Sequence, residues 1–279
     1  MNDSTTLLEV DGLSLDIEVN GQHERVLDDL SLSVRHGEAM GLVGESGSGK
    51  SMTLKSIIGL LPQNAKIRSG EIRFEGRNII GTERRGGALS TLRGTGISMV
   101  FQEPATALNP VMRVGAQIVD ALARRQSLSK KAARTRAIDL MEQVGISNPE
   151  QRVDAYPFEL SGGMRQRVMI AAAVAQEPQL LLCDEPTTAL DVTIQAQILR
   201  LFASLQRDRK LGMLYVTHDL GVVAQVCSRL AVMRSGRILE HGELGAVFDH
   251  PRDDYTKQLL RASPRIVRAE PIDSDGARS

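Results

Sequence analysis

Tryptophan is absent from the 279 residues, and aromatic side chains of every kind make up only 3%. A groove that grips single strands by stacking bases on rings has little to draw on here. An excess of one charge is also missing: 34 basic and 34 acidic residues leave a formal net charge of +0. No global field draws the chain to nucleic acid or anionic lipid, so no nucleic-acid partner is expected. The two cysteines, Cys183 and Cys227, are too few for a metal cluster. Cys183 closes the apolar run Leu180-Leu181-Leu182, where a small buried thiol packs well. No apolar run is long enough to cross a bilayer, and Met1 to Thr6 lacks a basic region followed by an apolar one. A cytosolic protein is expected, or one attached to a membrane only through partners. No internal repeat of fixed period is present.

What is present suffices for one full core with appendages, since 42% of residues are hydrophobic and 24% charged. Gly44-Glu45-Ser46-Gly47-Ser48-Gly49-Lys50-Ser51 matches the phosphate-loop pattern G-x-x-x-x-G-K-[ST]. It lies between a short apolar strand, Glu38 to Val43, and a helical pattern in which Met52, Leu54, Ile57, Ile58 and Leu61 recur until Pro62. Glycines in that bend point successive N–H groups at an anion, and the helix adds its positive end. Lys50 is placed to reach the β- and γ-phosphates, and Ser51 to offer its hydroxyl to Mg²⁺.

Apolar stretches alternate over residues 7 to 34 on either side of Asn20-Gly21, which predicts an antiparallel β layer. Ser69 to Gly76 reads as a further strand ending in a turn, with Gly86-Gly87 breaking the polar segment beyond. Ile97 to Phe101 returns to the core as a strand, ending at Gln102. From Val114 to about Val144 the pattern is helical, with Arg124, Arg125, Lys130, Lys131, Arg134 and Arg136 beside Asp120, Asp139 and Glu142. Interspersed charge of both signs describes a solvated face.

Ser161-Gly162-Gly163 precedes a helix rich in small residues, with Ser161 as its N-cap and bare N–H groups at a positive helix end. About twenty residues on, Leu180 to Cys183 ends in Asp184-Glu185, as a buried parallel strand whose C-terminal end faces ligand. Asp184 is placed to hold Mg²⁺ and Glu185 to polarise a water for attack on a γ-phosphate. A helix follows Ala189-Leu190-Asp191 to about Gln206, and the strand Met213 to Thr217 carries His218 at its end.

These elements in this order resemble the ATPase subunit of an ABC transporter, over nearly the whole chain. The resemblance implies an α/β fold, a P-loop NTPase (RecA-like) parallel core with an N-terminal antiparallel β layer and a helical subdomain. It implies residues 5–248 as the nucleotide-binding domain, the helical subdomain at about 103–160, and a C-terminal extension over 249–279. By the same likeness Gly44 to Ser51 is the Walker A loop, Gln102 the Q-loop glutamine and Leu160-Ser161-Gly162-Gly163 the signature. Asp184 and Glu185 close Walker B, Asp191 belongs to the D-loop and His218 is the switch histidine. Implied roles are ATP and Mg²⁺ as cofactors, Glu185 as general base, His218 on the γ-phosphate and attacking water, and Gln102 as a Mg²⁺ sensor coupled to the helical insert. The family works as a head-to-tail dimer, each ATP held by one Walker loop and the other subunit's signature.

A narrower likeness comes from Gln102-Glu103-Pro104, Leu108-Asn109-Pro110, Tyr156 to Arg167, Asp184 to Thr193, and His250-Pro251 with Tyr255-Thr256 and Leu259-Leu260. These resemble the dipeptide, oligopeptide and nickel import branch. That implies two transmembrane permease subunits, a second ABC ATPase or a second copy of this chain, an extracytoplasmic solute-binding protein acting indirectly, and a peripheral place on the cytoplasmic face of the inner membrane. Peptides lead as cargo, with nickel, metal chelates, opines and short sugars as alternatives. Branch members often end in a cysteine cluster with an iron-sulfur centre; nothing after Cys227 supplies one, so no such cluster is expected, and Glu270 to Gly276 reads as disordered. The aromatic residue that usually stacks on adenine is missing from residues 7 to 37, leaving Ile17, His23 or Arg25 to substitute. A soluble ABC ATPase of ribosome or DNA lacks its usual second cassette or coiled coil here, and an unrelated P-loop kinase leaves Ser161-Gly162-Gly163 and Gln102 unexplained.

Overall fold

Asn20 and Gly21 both adopt left-handed backbone, with φ 52 and 77, and so form the two-residue turn that reverses a chain between twisted strands. The hairpin they close joins β1 (Thr6–Val19) to β2 (Gln22–Arg35), with Val19 opposite Gln22. This is one part of the computed structural model, which describes residues 6–81, 87–123, 128–188 and 190–262. The reading of Glu270 to Gly276, and those of Gly86, Arg124 and Arg125, lie outside the described residues.

The chain then enters the core as β3 (Ala39–Val43), buried throughout, and turns into α1 (Lys50–Ile58). It returns to the first layer as β4 (Ala65–Phe74), antiparallel to β1, and the short β5 (Arg77–Asn78). That sheet runs β2-β1-β4-β5. The strand expected from Ser69 begins four residues earlier, because Ala65 to Ile67 pair with Leu15 to Ile17 of β1. After α2 (Ala88–Leu92), β6 (Ile97–Val100) rejoins the core.

Next comes the helical insert of α3 (Pro104–Ala107), α4 (Val114–Ala123), α5 (Lys130–Gln143) and α6 (Pro149–Arg152), then a 3₁₀ turn at Pro157–Glu159. The helical pattern from Val114 to Val144 is thus two helices. Ser129 starts the second by accepting a hydrogen bond from the Ala132 N–H at 3.3 Å. The basic residues of α5 lie mostly in solvent, where Arg134 pairs with Asp154.

The remainder alternates helix and strand: α7 (Gly162–Ala175), β7 (Leu180–Asp184), α8 (Val192–Arg209), β8 (Gly212–Val216), α9 (Leu220–Val226), β9 (Arg229–Arg234), β10 (Arg237–Glu243), α10 (Leu244–Asp249) and α11 (Asp254–Ala262). The six-stranded sheet runs β10-β9-β3-β8-β7-β6, parallel except where β10 pairs with β9. Its uninterrupted apolar strands are explained by cover on both faces. Leu180 and Leu182 point to the cluster shared with α1 and the antiparallel layer, while Leu181 and Cys183 point to the one shared with the helices. Both cysteines are buried and free, and burial pushes their thiols up out of the reactive range.

Candidate functional site

The loop between β3 and α1 needs glycine where it touches the strand beside it. At Gly44, φ is 156 and an added Cβ would meet the Met233 carbonyl oxygen at 2.0 Å. At Gly49, φ is 109 and the Cβ would lie 2.9 Å from Leu27 and 3.0 Å from the Val26 carbonyl. The loop is therefore pressed between β2 and β9, and its form is set by those neighbours. Lys50 folds back over it, its Nζ donating to the carbonyls of Gly44 at 2.8 Å and Glu45 at 2.7 Å and to Ser48 Oγ at 3.3 Å. Burial lowers the Lys50 pKa, opposed by the carboxylates of Glu185, Asp184 and Glu45. An anion in the loop would restore the balance toward the ammonium.

Asp184, at the C-terminal end of β7, accepts from Ser51 Oγ at 2.9 Å. Burial raises its pKa, and the Ser51 hydrogen bond and the Lys55 and Lys50 charges pull the other way. The next residue leaves the strand abruptly. Glu185 has φ 46, a left-handed conformation costly for a side chain of this kind, and its N–H donates to the Val216 carbonyl at 2.9 Å. That twist turns its carboxylate away from the β7 face. One oxygen, Oε1, lies 3.1 Å from His218 Nδ1, while Oε2 accepts from Thr188 Oγ1 at 3.1 Å and Gln102 Nε2 at 3.4 Å. Residues 102, 185 and 218, from three adjacent strand ends, thus converge on one carboxylate.

Ser161 caps α7 by accepting from the Met164 N–H at 3.3 Å, and Asp191 caps α8 by accepting from Ile194 at 3.0 Å. Among the described residues no hydrogen bond links Ser161, Gly162 or Gly163 to the phosphate loop, and an added Cβ at Gly162 would meet nothing within 4 Å. This helix start faces open space in the single chain. Sequence reasoning gave no role to Thr188, which holds Glu185, or to Gln166, whose buried amide donates to the Pro186 carbonyl at 2.8 Å. A threonine three residues after the carboxylate was the available signal for the first. Nothing local marks the second.

Chemically, a glycine-rich loop that opens a helix beside a buried ammonium suits phosphates, and a hydroxyl paired with a carboxylate suits a hard cation. The glutamate held between histidine and glutamine suits a water. The ABC transporter family model matches residues 27–188. The chain belongs to the ABC transporter family. It binds and hydrolyses ATP as the energy-coupling part of a transport system. ABC importer ATP-binding subunits work with membrane permeases, and such cassettes form dimers. Among its relatives, the oligopeptide transport ATP-binding protein OppD of Bacillus subtilis (strain 168) is 46% identical over 263 residues, covering 94% of this chain and 73% of that protein. The dipeptide transport ATP-binding protein DppD of Escherichia coli (strain K12) is 45% identical over 265 residues, covering 94% and 80%. The ABC cassette MJ0796, in a dimeric post-hydrolysis structure bound to ADP and Pi, superposes with a TM-score of 0.77 at 26% identity, over 85% of this chain and 99% of that one. No helix of this ABC ATPase, among the described residues, is long and apolar enough to cross a membrane.

Proposed function

We propose that this ABC ATPase drives a binding-protein-dependent importer of dipeptides or oligopeptides from the cytoplasmic face of the membrane. The observation that carries the ATPase half is the convergence of Gln102, Thr188 and His218 on Glu185, next to the Ser51–Asp184 pair. The cargo half is supported by relatives named for oligopeptide and dipeptide transport over 94% of the chain.

Residues 5–248 form the nucleotide-binding domain in this reading, with the helical subdomain at about 103–160 and the C-terminal extension from 249. Gly44 to Ser51 wraps the phosphates and Lys50 neutralises them. Ser51 and Asp184 fit Mg²⁺, with Gln102, bonded to the adjacent Glu185, as the further ligand in this reading, since each side chain offers an oxygen. When bound, that ion neutralises charge building on the transferred phosphoryl group. Glu185 takes the proton of the attacking water, and His218 orients water and phosphate. Arg25 carries the adenine. Its neighbour Val26 borders Gly49, and its guanidinium is held by Asp16 at 2.5 Å and Asp28 at 3.2 Å, a fixed plane that Ile17 and His23 do not offer. Ser161-Gly162-Gly163 and Asp191 complete the site of a second ATPase across a head-to-tail interface, as the open face at Gly162 allows. The helical subdomain is the surface against which a permease presses, and the assembled importer holds two permease subunits.

The test is affinity purification of tagged Glu185→Gln protein from its native membranes with ATP present, followed by mass spectrometry. Two polytopic permeases and a peptide-binding protein are expected. Ribosomal or DNA-repair proteins in their place would retire the importer reading.

A further inference from the structure

The outer side of the phosphate loop is held by residues far from it in sequence. Tyr255 of α11 places its hydroxyl oxygen 2.9 Å from the Glu45 N–H, which donates to it. The Tyr255 ring lies under the Arg234 guanidinium at 4.7 Å, and Arg234 Nε reaches Glu45 Oε1 at 3.4 Å. From the same turn Gly236 donates to the Ser48 carbonyl at 2.9 Å. On the inner side, the carbonyl of Glu45 receives Lys50 Nζ at 2.7 Å. Residue 45 is therefore gripped at both ends, its N–H by α11 and its C=O by the phosphate-binding lysine.

α11 is itself fixed. Glu240 of β10 accepts from the N–H groups of Arg252 at 2.9 Å and Asp253 at 3.1 Å, just ahead of the helix. Asp253 Oδ1 in turn accepts from the Tyr255 N–H at 2.8 Å, and Leu259 and Leu260 pack on the helical-side core. The hydroxyl is thus delivered to residue 45 by a chain of contacts and not by a loose side chain.

We propose that Tyr255 is a positioning residue for ATP binding: its hydroxyl sets the Glu45 peptide, and through it the site where Lys50 rests. This rests on the reading of Gly44 to Ser51 as the ATP site. The hydroxyl touches the loop backbone and no reacting atom, so its contribution is expected to be the same for substrate and transition state and to show in KM and not in kcat.

Tyr255→Phe in the full chain keeps the ring under Arg234 and removes only the hydroxyl. The KM for MgATP and the dissociation constant for MANT-ATP are expected to rise about three- to tenfold, the size of one hydrogen bond. The kcat should stay within about twofold and the melting temperature of the nucleotide-free protein within about 2 °C. Lys257→Ala, which removes only an exposed pair with Asp254 on the same helix, is expected to change none of these. An unchanged KM, whether or not the melting temperature falls, would overturn the proposal and leave the hydroxyl a fastening for α11. A loss confined to kcat would overturn it as well. A parent protein that bound no MANT-ATP would instead remove the ATP-site reading itself.

Discussion

Gln166 of α7 donates to the carbonyl of Pro186 at 2.8 Å, tying the helix behind Ser161-Gly162-Gly163 to the turn just past Glu185. The side chain is 1% exposed, so neither partner has water to fall back on. Movement of α7, where a second subunit is proposed to sit, is thereby linked to the carboxylate proposed to activate water.

Gln166→Leu leaves the Pro186 carbonyl buried without its donor. The expected cost is about 1–2 kcal/mol of stability, read as a lower denaturation midpoint with an unchanged denaturant slope. A midpoint equal to that of the parent would show that Pro186 finds another donor.

The two halves of the phosphate site should separate by mutation. Lys50→Ala is expected to lose nucleotide binding, because the buried ammonium is the loop's own cation. Glu185→Gln keeps the loop intact and should bind ATP while turnover falls by about a hundredfold or more, the usual span for a lost general base. Equal hydrolysis by Glu185→Gln and parent, measured as phosphate release, would sink the assignment of Glu185.

Two glycines should respond in opposite ways. Gly44→Ala drives a Cβ to 2.0 Å from the Met233 carbonyl oxygen, and backbone has nowhere to go; little soluble, nucleotide-binding protein is expected. Gly162→Ala meets nothing within 4 Å, so the melting temperature of the single chain should hold. Its ATPase rate is nonetheless expected to fall if that helix start receives the phosphate of a second subunit. A thermal melt beside an ATPase assay reads both.

The acid limb of stability should depend on Asp16. The Arg25 hydrogen bond, helped by Arg68 and opposed by burial, holds its carboxyl below the ordinary carboxylate value. A pKa lower in the folded than in the unfolded chain binds fewer protons when folded. Its contribution is therefore complete above the unfolded value near 4 and is lost as pH falls through the folded value. Asp16→Asn should weaken the protein at neutral pH and flatten the loss of stability below about pH 4. A parallel acid limb in parent and variant would argue against the Arg25–Asp16–Arg68 cluster.

Much of this molecule is legible along the chain because its chemistry is local. The phosphate loop, the strand ending in Asp184-Glu185 and the Ser161 cap each sit within a few residues, where turn geometry and helix ends dictate what a backbone can bind. The hairpin at Asn20-Gly21 and the apolar parallel strands follow for the same reason. Boundaries were less legible: Ala65 to Ile67 become strand only because β1 is there to pair with them. Three things were decided by tertiary structure alone. Glu185 faces Gln102, Thr188 and His218 because its backbone is forced left-handed where β7 and β8 end side by side. Gln166 reaches Pro186 because α7 packs on β6, the strand beside β7. Tyr255 reaches Glu45 across 210 positions because Glu240 and the core hold α11 beside the loop. Contacts of that kind are selected by packing, which local residue patterns do not encode.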